Sequence, residues 1–533
     1  MRAVLLSLLF LSCGQAGAPV LHKNDFDIII RDGTVIDGTG KRRFRADVGI
    51  RGDTIVAIGD LHDKSATTTL DATNDIVAPG FIDLLGNSQS AVLIDPKLEG
   101  KVRQGVTTEV TGEGHSPGPI DEAMAAEMER TKPPGWPAVT WRTLGDFMRV
   151  VEKRGSAINF AFYVGAANPR EMVLGHANRA PTAEELQKMT AIVDQAVKDG
   201  AVGTASALIY PPGSFATTEE LSALAKHGGA YWTHLRNESD RIDGAIDEAI
   251  RISRDAHVPL NIFHLKIGGQ QNWGRMPEVV ARIEKSGVDH SACAYPYTAT
   301  STDLMSIVPA WAQEGGYAQF INRLKDPATR ARIKEEMVRL KGSGASSILI
   351  RGTGKRLDGL AREMNVDPPE AAARLFEKEN SSPVAIFFSL SEDDMKVALK
   401  QPWVAVCSDS GAVVTPEKGA HPRAYGTFPR VFRYVREQNL ITLEEAVRKM
   451  TSLAASRAFL RDRGILRAGM KADIVVFDPK TIRDVATYED PHHFSEGVRE
   501  VIVNGTPILR DSRMTGALPG KMLSGSPPPS AAP

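Results

Sequence analysis

The chain has 533 residues, 42% of them hydrophobic and 24% charged, enough to bury a large core and to hold one big domain beside a smaller one. Lys and Arg number 64 against 65 Asp and Glu, so no surplus of charge draws it to a nucleic-acid backbone or an anionic membrane surface. A small molecule or a short peptide is the partner class that remains.

Residues 1–19, MRAVLLSLLFLSCGQAGAP, carry a basic Arg2, an apolar run from Ala3 to Leu11 and small residues after it, which is the pattern of a secretory signal. The run is too short to cross a bilayer as a helix. Two outcomes stay open: lipid attachment at Cys13, after the lipobox-like Phe10-Leu11-Ser12-Cys13, and cleavage near Ala18 with a soluble product. Either predicts an exported bacterial protein, periplasmic or lipid-anchored, that touches a membrane only through that anchor. Past the signal only Cys293 and Cys407 remain, in separate apolar runs, so no disulfide framework is expected.

Residues 25–61 are short β-branched runs split by Asp-Gly, Gly-Thr-Gly and Gly-Asp turns. A matching set, ADIVVFDP at 472–479 and VREVIVNGTPIL at 498–509, has Asn504-Gly505 as its hairpin signal. The two ends are expected to pair into one β-sandwich, residues 24–75 with 465–523. Between them, over 76–464, apolar strands alternate with helices: 76–84, 106–112, 157–165, 201–209, 229–235, 258–265, 289–296 and 402–408, with Ile242, Ile246, Ala249 and Ile250 at helical spacing. Eight strands with crossovers predict an α/β fold of the (β/α)8 TIM-barrel type, with a doubly wound sheet as the alternative. The long, charged stretch from about 305 to 400 exceeds a normal connection and reads as a helical insertion, a lid over the barrel mouth. Residues 524–533, rich in Pro and Ser, read as a disordered tail.

Polar residues sit where the barrel strands end. Tyr231-Trp232-Thr233-His234 and Leu260-Asn261-Ile262-Phe263-His264 each finish an apolar run on a histidine, and VAVCSDSG finishes on Asp409. Two imidazoles and a carboxylate at the mouth of one barrel suit a zinc hydrolase, the imidazoles as ligands and the carboxylate as acceptor of the proton of a bound water.

These stretches, taken in order with VAPGFID, QGVTTEVTG, GAVGTASALIYPPGSFATTEEL, THLRNE, FHLKIGGQQNWGR, YPYTATST, SDSG, HPRAYGTFPRV and AGMKADIVVFDP, resemble the N-acyl-D-amino-acid deacylase (D-aminoacylase) family of the amidohydrolase superfamily from about Asp25 to Leu523. The resemblance implies a metal-dependent barrel beside a β-sandwich that cleaves the amide of N-acylated D-amino acids. It implies that His234 and His264 bind zinc, that Asp409 is the catalytic acid–base, and that Lys266, Arg423 and Tyr297 form the pocket for the substrate carboxylate. A lysine and an arginine on one wall suit a carboxylate, the arginine as a fork and the lysine as a point charge.

Two departures from the family pattern stand out. Its strand-1 His-x-His falls at Leu85 and Asn87, neither of which can replace an imidazole on zinc. Its cysteine ligand falls at Gly114, where the neighbours Glu113 and His115 both offer a donor. Glu113 is favoured, because flanking glycines let the backbone turn its carboxylate inward, with His115 as the fallback. The expectation is therefore one Zn²⁺ per subunit, with Asn87, Ser88 and Gln89 as a polar wall. Alternatives are a related hydrolase acting on D-residue dipeptides or another amide, and a metal-free binding protein on the same scaffold.

Overall fold

Five strands open the described part of the chain: β1 (Phe26–Val35), β2 (Phe44–Arg51), β3 (Thr54–Gly59), β4 (Ala66–Asp71) and β5 (Ile76–Pro79). The structure, a computed structural model, describes residues 24–339, 344–379 and 382–525, so the signal-like segment with Cys13 and all but the first two residues of the 524–533 tail lie outside it. Next come β6 (Phe81–Asp83), β7 (Val106–Thr111), β8 (Asn159–Phe162), β9 (Val164–Gly165), β10 (Thr204–Ala207), β11 (Tyr231–His234), β12 (Leu260–Ile262) and β13 (His290–Ala294). An excursion holds β14 (Thr300–Asp303), β15 (Ile348–Ile350), β16 (Lys355–Arg356) and β17 (Val384–Phe387). The chain then returns through β18 (Val404–Val406) to β19 (Ile474–Phe477), β20 (Val498–Val503), β21 (Thr506–Arg510) and β22 (Arg513–Met514).

The two chain ends do pair. Their sheet runs β22-β21-β20-β19-β5-β1-β2-β3, with β4 also on β1. A register break between Ile30 and Gly33 lets the first half of β1 pair with β4 and the second half with β5, which folds the sheet around its own core of Ile28, Ile30, Val48, Ile50, Val77 and Ile474. This is the β-sandwich.

The barrel strands are parallel throughout, β6-β7-β8 in one run and β9-β10-β11-β12-β13-β18 in the other, with β8 and β9 as the halves of one strand. The ring closes where Gly86 bridges to Ser410 and the Asp409 N–H donates to Leu85 O at 2.8 Å. Side chains fill the interior: the Tyr163 ring lies 5.1 Å from Trp232 and 5.4 Å from Phe263, and its hydroxyl donates to Leu84 O. Cys293 and Cys407 are buried there as free thiols. Outside, the helix Ile242–Ala256 buries the face of Ile242, Ala245, Ile246, Ala249 and Ile250 that its 3.6-residue spacing marks out.

The insertion differs from its sequence reading. It is not all helical: β14, β17, β15 and β16 form a four-stranded sheet, and with helices they enclose a separate core that includes Phe320, Leu324, Ile333, Ala372 and Phe376. ILI and VAIF are runs of three and four residues, too short for periodicity to separate strand from helix. Its limits shift as well. β14 precedes residue 305, and the helix Glu392–Lys400 buries Met395, Ala398 and Leu399 against the barrel, as a crossover helix does. At the C-terminus, residues 519–523 leave the sandwich and lie along β8 at the barrel base, with Phe160 N–H donating to Lys521 O and Leu523 N–H to Phe160 O.

Candidate active site

The residues singled out at the strand ends converge on one cavity of about 1280 Å³ between the barrel mouth and the insertion. Glu113, His234, His264, Lys266, Asp409 and Arg423 all line it. Its centre is a three-residue cluster. Glu113 Oε1 lies 3.0 Å from His234 Nδ1 and 2.9 Å from His264 Nε2, and one donor atom from each residue falls within 4.8 Å of the others. Local backbone explains how they meet. Gly112 and Gly114 have φ of 116° and 65°, and a Cβ on Gly114 would come within 2.6 Å of Ala207 Cβ, so only glycine lets this loop pass and aim Glu113 inward. His264 and Asp409 take left-handed φ values of 35° and 48°, strain of the kind that persists where the surroundings over-determine a functional side chain.

Burial works against the charge on Glu113, but hydrogen bonds and charge from His234 and His264 hold its carboxyl well below the usual range. A second carboxylate, Glu238, stands on the far side of the histidines. Its oxygens lie 2.7 and 2.8 Å from Lys266 Nζ, 3.3 Å from His234 Nε2 and 3.2 Å from His264 Nδ1. Burial opposes its charge too, and His234, Lys266 and His264 outweigh it and hold its carboxyl well below the normal value. Two imidazole nitrogens and a carboxylate oxygen at this separation form the donor set of catalytic zinc sites, and the buried Nε2 of His234 has no aligned hydrogen-bond partner.

Asp409 projects from the loop after β18, and Arg423 Nη1 lies 2.8 Å from its Oδ2. Arg423 is buried, donates from Nη2 to Ser301 O, has no aligned acceptor at Nε or Nη1, and stacks 4.9 Å from the Tyr295 ring. Lys266 is not free to take a ligand: besides Glu238 it donates to His264 Nδ1 at 2.7 Å. Tyr297 does not line the large cavity. Its ring sits under Arg430 at 4.5 Å and against His421, and Tyr295, two residues earlier in the segment that follows β13, occupies the place between Arg423 and Lys266.

The fallback ligand is elsewhere. His115 Nε2 pairs with Glu171 at 3.0 Å and its side chain is 45% exposed, on the rim. The polar wall of strand 1 is also smaller than its sequence suggests. Asn87 lines the cavity, but Ser88 is buried with its N–H and hydroxyl both on Glu109 at 2.7 Å, and Gln89 accepts from Thr111. Leu85 joins the apolar barrel core.

Behind that strand end lies a fully buried ion cluster. Lys101 Nζ reaches Asp83 at 2.8 Å, Glu109 at 3.2 Å, Ser408 Oγ at 2.8 Å and Ser410 O at 2.6 Å. It ties strands β6 and β7 to the loop that presents Asp409. Glu238 and Lys101 went unnoticed in the sequence; for Glu238 the available signal was its place in THLRNE, one helical turn beyond His234.

The fold and this donor set define a metal-binding amidohydrolase. An amidohydrolase family model matches residues 171–509. The D-aminoacylase of Alcaligenes xylosoxydans xylosoxydans is 35% identical over 94% of this chain and 98% of its own, and the N-acyl-D-aspartate deacylase of the same organism is 33% identical over 93% and 95%. Among solved structures, the N-acyl-D-glutamate deacylase of Bordetella bronchiseptica, complexed with zinc and a phosphonate mimic of the tetrahedral intermediate, superposes with a TM-score of 0.80 at 32% identity, over 93% of this chain and 99% of that one. A D-aminoacylase with a binuclear metal centre, in which one metal activates and the second attenuates, gives 0.80 at 33% identity, over 94% and 100%. The chain belongs to the N-acyl-D-amino-acid deacylase family of the amidohydrolase superfamily.

Proposed function

We propose that the protein hydrolyses the amide bond of N-acyl-D-amino acids, releasing a carboxylic acid and a free D-amino acid, with one zinc ion per subunit. The observation that carries this is the Glu113–His234–His264 cluster facing the same cavity as Asp409. The missing donors at Leu85 and Asn87 support a single ion, as does the one-metal activation of the related D-aminoacylase.

Glu113, His234 and His264 would hold the ion. When bound, it supplies Lewis acidity, polarising the scissile carbonyl and making a water molecule acidic enough to lose a proton near neutral pH. Asp409, with Oδ2 turned to Arg423, keeps Oδ1 as an acceptor. It takes the water proton as the water oxygen attacks the carbonyl carbon, then gives that proton to the nitrogen as the C–N bond breaks. Arg423, with donors to spare, takes the substrate carboxylate and fixes the amide beside Asp409. Lys266 holds Glu238 and contributes positive charge to the same wall.

A second reading, hydrolysis of D-residue dipeptides, draws support from the cavity. At about 1280 Å³ it exceeds the roughly 300–1,000 Å³ typical of small-ligand pockets and leaves room beyond one acylated amino acid. The test is a hydrolysis panel of N-acyl-D-amino acids, N-acyl-L-amino acids and dipeptides, with metal content measured on the same preparation. Fastest turnover of N-acyl-D-amino acids at one zinc per chain is the expected result; preference for the L-series or for dipeptides would displace it. The leader-like residues 1–19 further support export to the cell envelope, and the mass of the mature N-terminus separates a lipid on Cys13 from cleavage near Ala18.

A further inference from the structure

The geometry points to Glu238 as the positioning residue of this site: one carboxylate that stands within 3.3 Å of the outer nitrogens of both candidate metal histidines. The inference rests on the reading of Glu113, His234 and His264 as the metal site and deepens it. The two rings present opposite atoms inward, Nδ1 from His234 and Nε2 from His264, and each turns its other nitrogen to a different oxygen of Glu238, at 3.3 Å from Oε2 and 3.2 Å from Oε1. A neutral imidazole that gives one nitrogen to a metal keeps its single proton on the other and must donate it outward.

For His264 the outer neighbour at 2.7 Å is the Lys266 ammonium, which only donates. Lys266 Nζ stands 2.7 Å from Nδ1, while Nε2 stands 2.9 Å from Glu113 Oε1. With a metal on Nε2 the ring carries its one proton on Nδ1, donor against the Lys266 donor, unless a carboxylate accepts from both. Glu238 Oε1 is 2.8 Å from Lys266 Nζ and 3.2 Å from Nδ1, so it is placed to accept from both. Its other oxygen stands 2.7 Å from Lys266 Nζ and 3.3 Å from His234 Nε2, the buried nitrogen that has no aligned partner of its own. Its side chain is only 14% exposed, so the carboxylate is packed beside both rings before any ion arrives.

The test is zinc affinity, measured by competition with a chromophoric chelator at fixed pH on the mature full-length protein and on Glu238→Ala, Glu238→Gln and Lys266→Met. Loss of an outer-shell carboxylate typically weakens metal binding about 10- to 100-fold, and that is the expected result for Glu238→Ala. Glu238→Gln, which keeps one acceptor oxygen, falls between it and the wild type. Lys266→Met, which removes the competing donor, leaves affinity unchanged or tighter. Thermal denaturation of each apoprotein identifies a variant that is simply unfolded, in which case Glu238→Gln carries the comparison. Wild-type affinity in both Glu238 variants overturns the role of Glu238 alone, as does equal weakening by Lys266→Met. If the unaltered protein takes up no zinc, the metal site falls first and Glu238 with it.

Discussion

Arg423 Nη1 lies 2.8 Å from Asp409 Oδ2, so the cation expected to hold a substrate carboxylate already holds the carboxylate expected to move the proton. The two roles are joined in one ion pair. A substrate whose carboxylate engages Arg423 shares that guanidinium with Asp409, which places the scissile amide beside the acid–base group.

Changing Asp409 to Asn should therefore keep zinc and the fold yet lower kcat by about 10²–10⁴ or more, because the same carboxylate serves both proton transfers. Parallel measurement of bound zinc decides the point. Loss of metal along with activity would make Asp409 a ligand instead.

Arg423→Ala should act on recognition. Where a buried charge loses its partner the cost is about 2–5 kcal/mol, roughly 30- to several-thousand-fold in kcat/KM, for the free acid. An amidated or esterified substrate already lacks the charge, so the variant should narrow the gap between acid and amide. Equal rates on both substrates by the unaltered enzyme would remove carboxylate recognition from the account.

Within the metal cluster, His234→Ala and His264→Ala should each lose most bound zinc, since two remaining donors compete poorly with water. Glu113→Gln should weaken zinc more than His115→Ala, whose ring is turned to Glu171 on the rim. The reverse order in a chelator titration would exchange their roles.

Among the described residues the Asp303 carboxylate, in the cavity wall, has no hydrogen-bond or ion-pair partner. Lys266, Arg423 and Arg236 are each paired with a carboxylate, leaving Arg241, among the described residues, as the cation lining the cavity without an ion pair. An acidic substrate side chain brought within about 4 Å of Asp303 meets repulsion of about 1–4 kcal/mol. Neutral and basic D-residues should thus outrun D-aspartate and D-glutamate by tenfold or more, and Asp303→Asn should shrink that ratio. A preference for the acidic residues would move the side-chain pocket toward Arg241.

Lys101→Met strands Asp83 and Glu109 in the interior, and removing one partner of a buried ion pair costs about 3–5 kcal/mol. Urea denaturation reads the loss, and Lys101→Met with Glu109→Gln should recover part of it. The pH dependence has a definite sign. Burial raises the Glu109 pKa, against Lys101 and with Asp83, so as pH climbs above 4.5 the unfolded chain loses this proton before the folded one does. Its contribution to stability then falls until pH passes the folded value. Glu109→Gln should flatten that part of the wild-type curve.

The barrel, the sandwich and the positions of His234, His264 and Asp409 were legible because each strand is an apolar run that ends on a polar residue, a pattern contained within one segment. Glu113 was legible through its two glycines. The Lys101 cluster was not: its partners Asp83, Glu109 and Ser408 come from two strands and a loop, Ser408 being 307 residues away, and each alone reads as an ordinary polar residue. Tyr295 and Tyr297 share the YPY motif, and only the course of the backbone past β13 decides which ring faces Arg423 and Lys266 and which faces Arg430. The insertion's strands were hidden by brevity.

The insertion's first and last strands, β14 and β17, are hydrogen-bonded neighbours, with Thr300 opposite Phe387, so the chain leaves the barrel and comes back at adjoining points. A segment with adjoining ends and an apolar centre of its own behaves as a cassette: it can be lengthened, shortened or exchanged with little strain on the scaffold beneath, because closing its ends adds little entropy cost. Evolution can therefore redraw the roof over the cavity, and with it the cavity's shape, while Glu113, His234 and His264 below stay where they are.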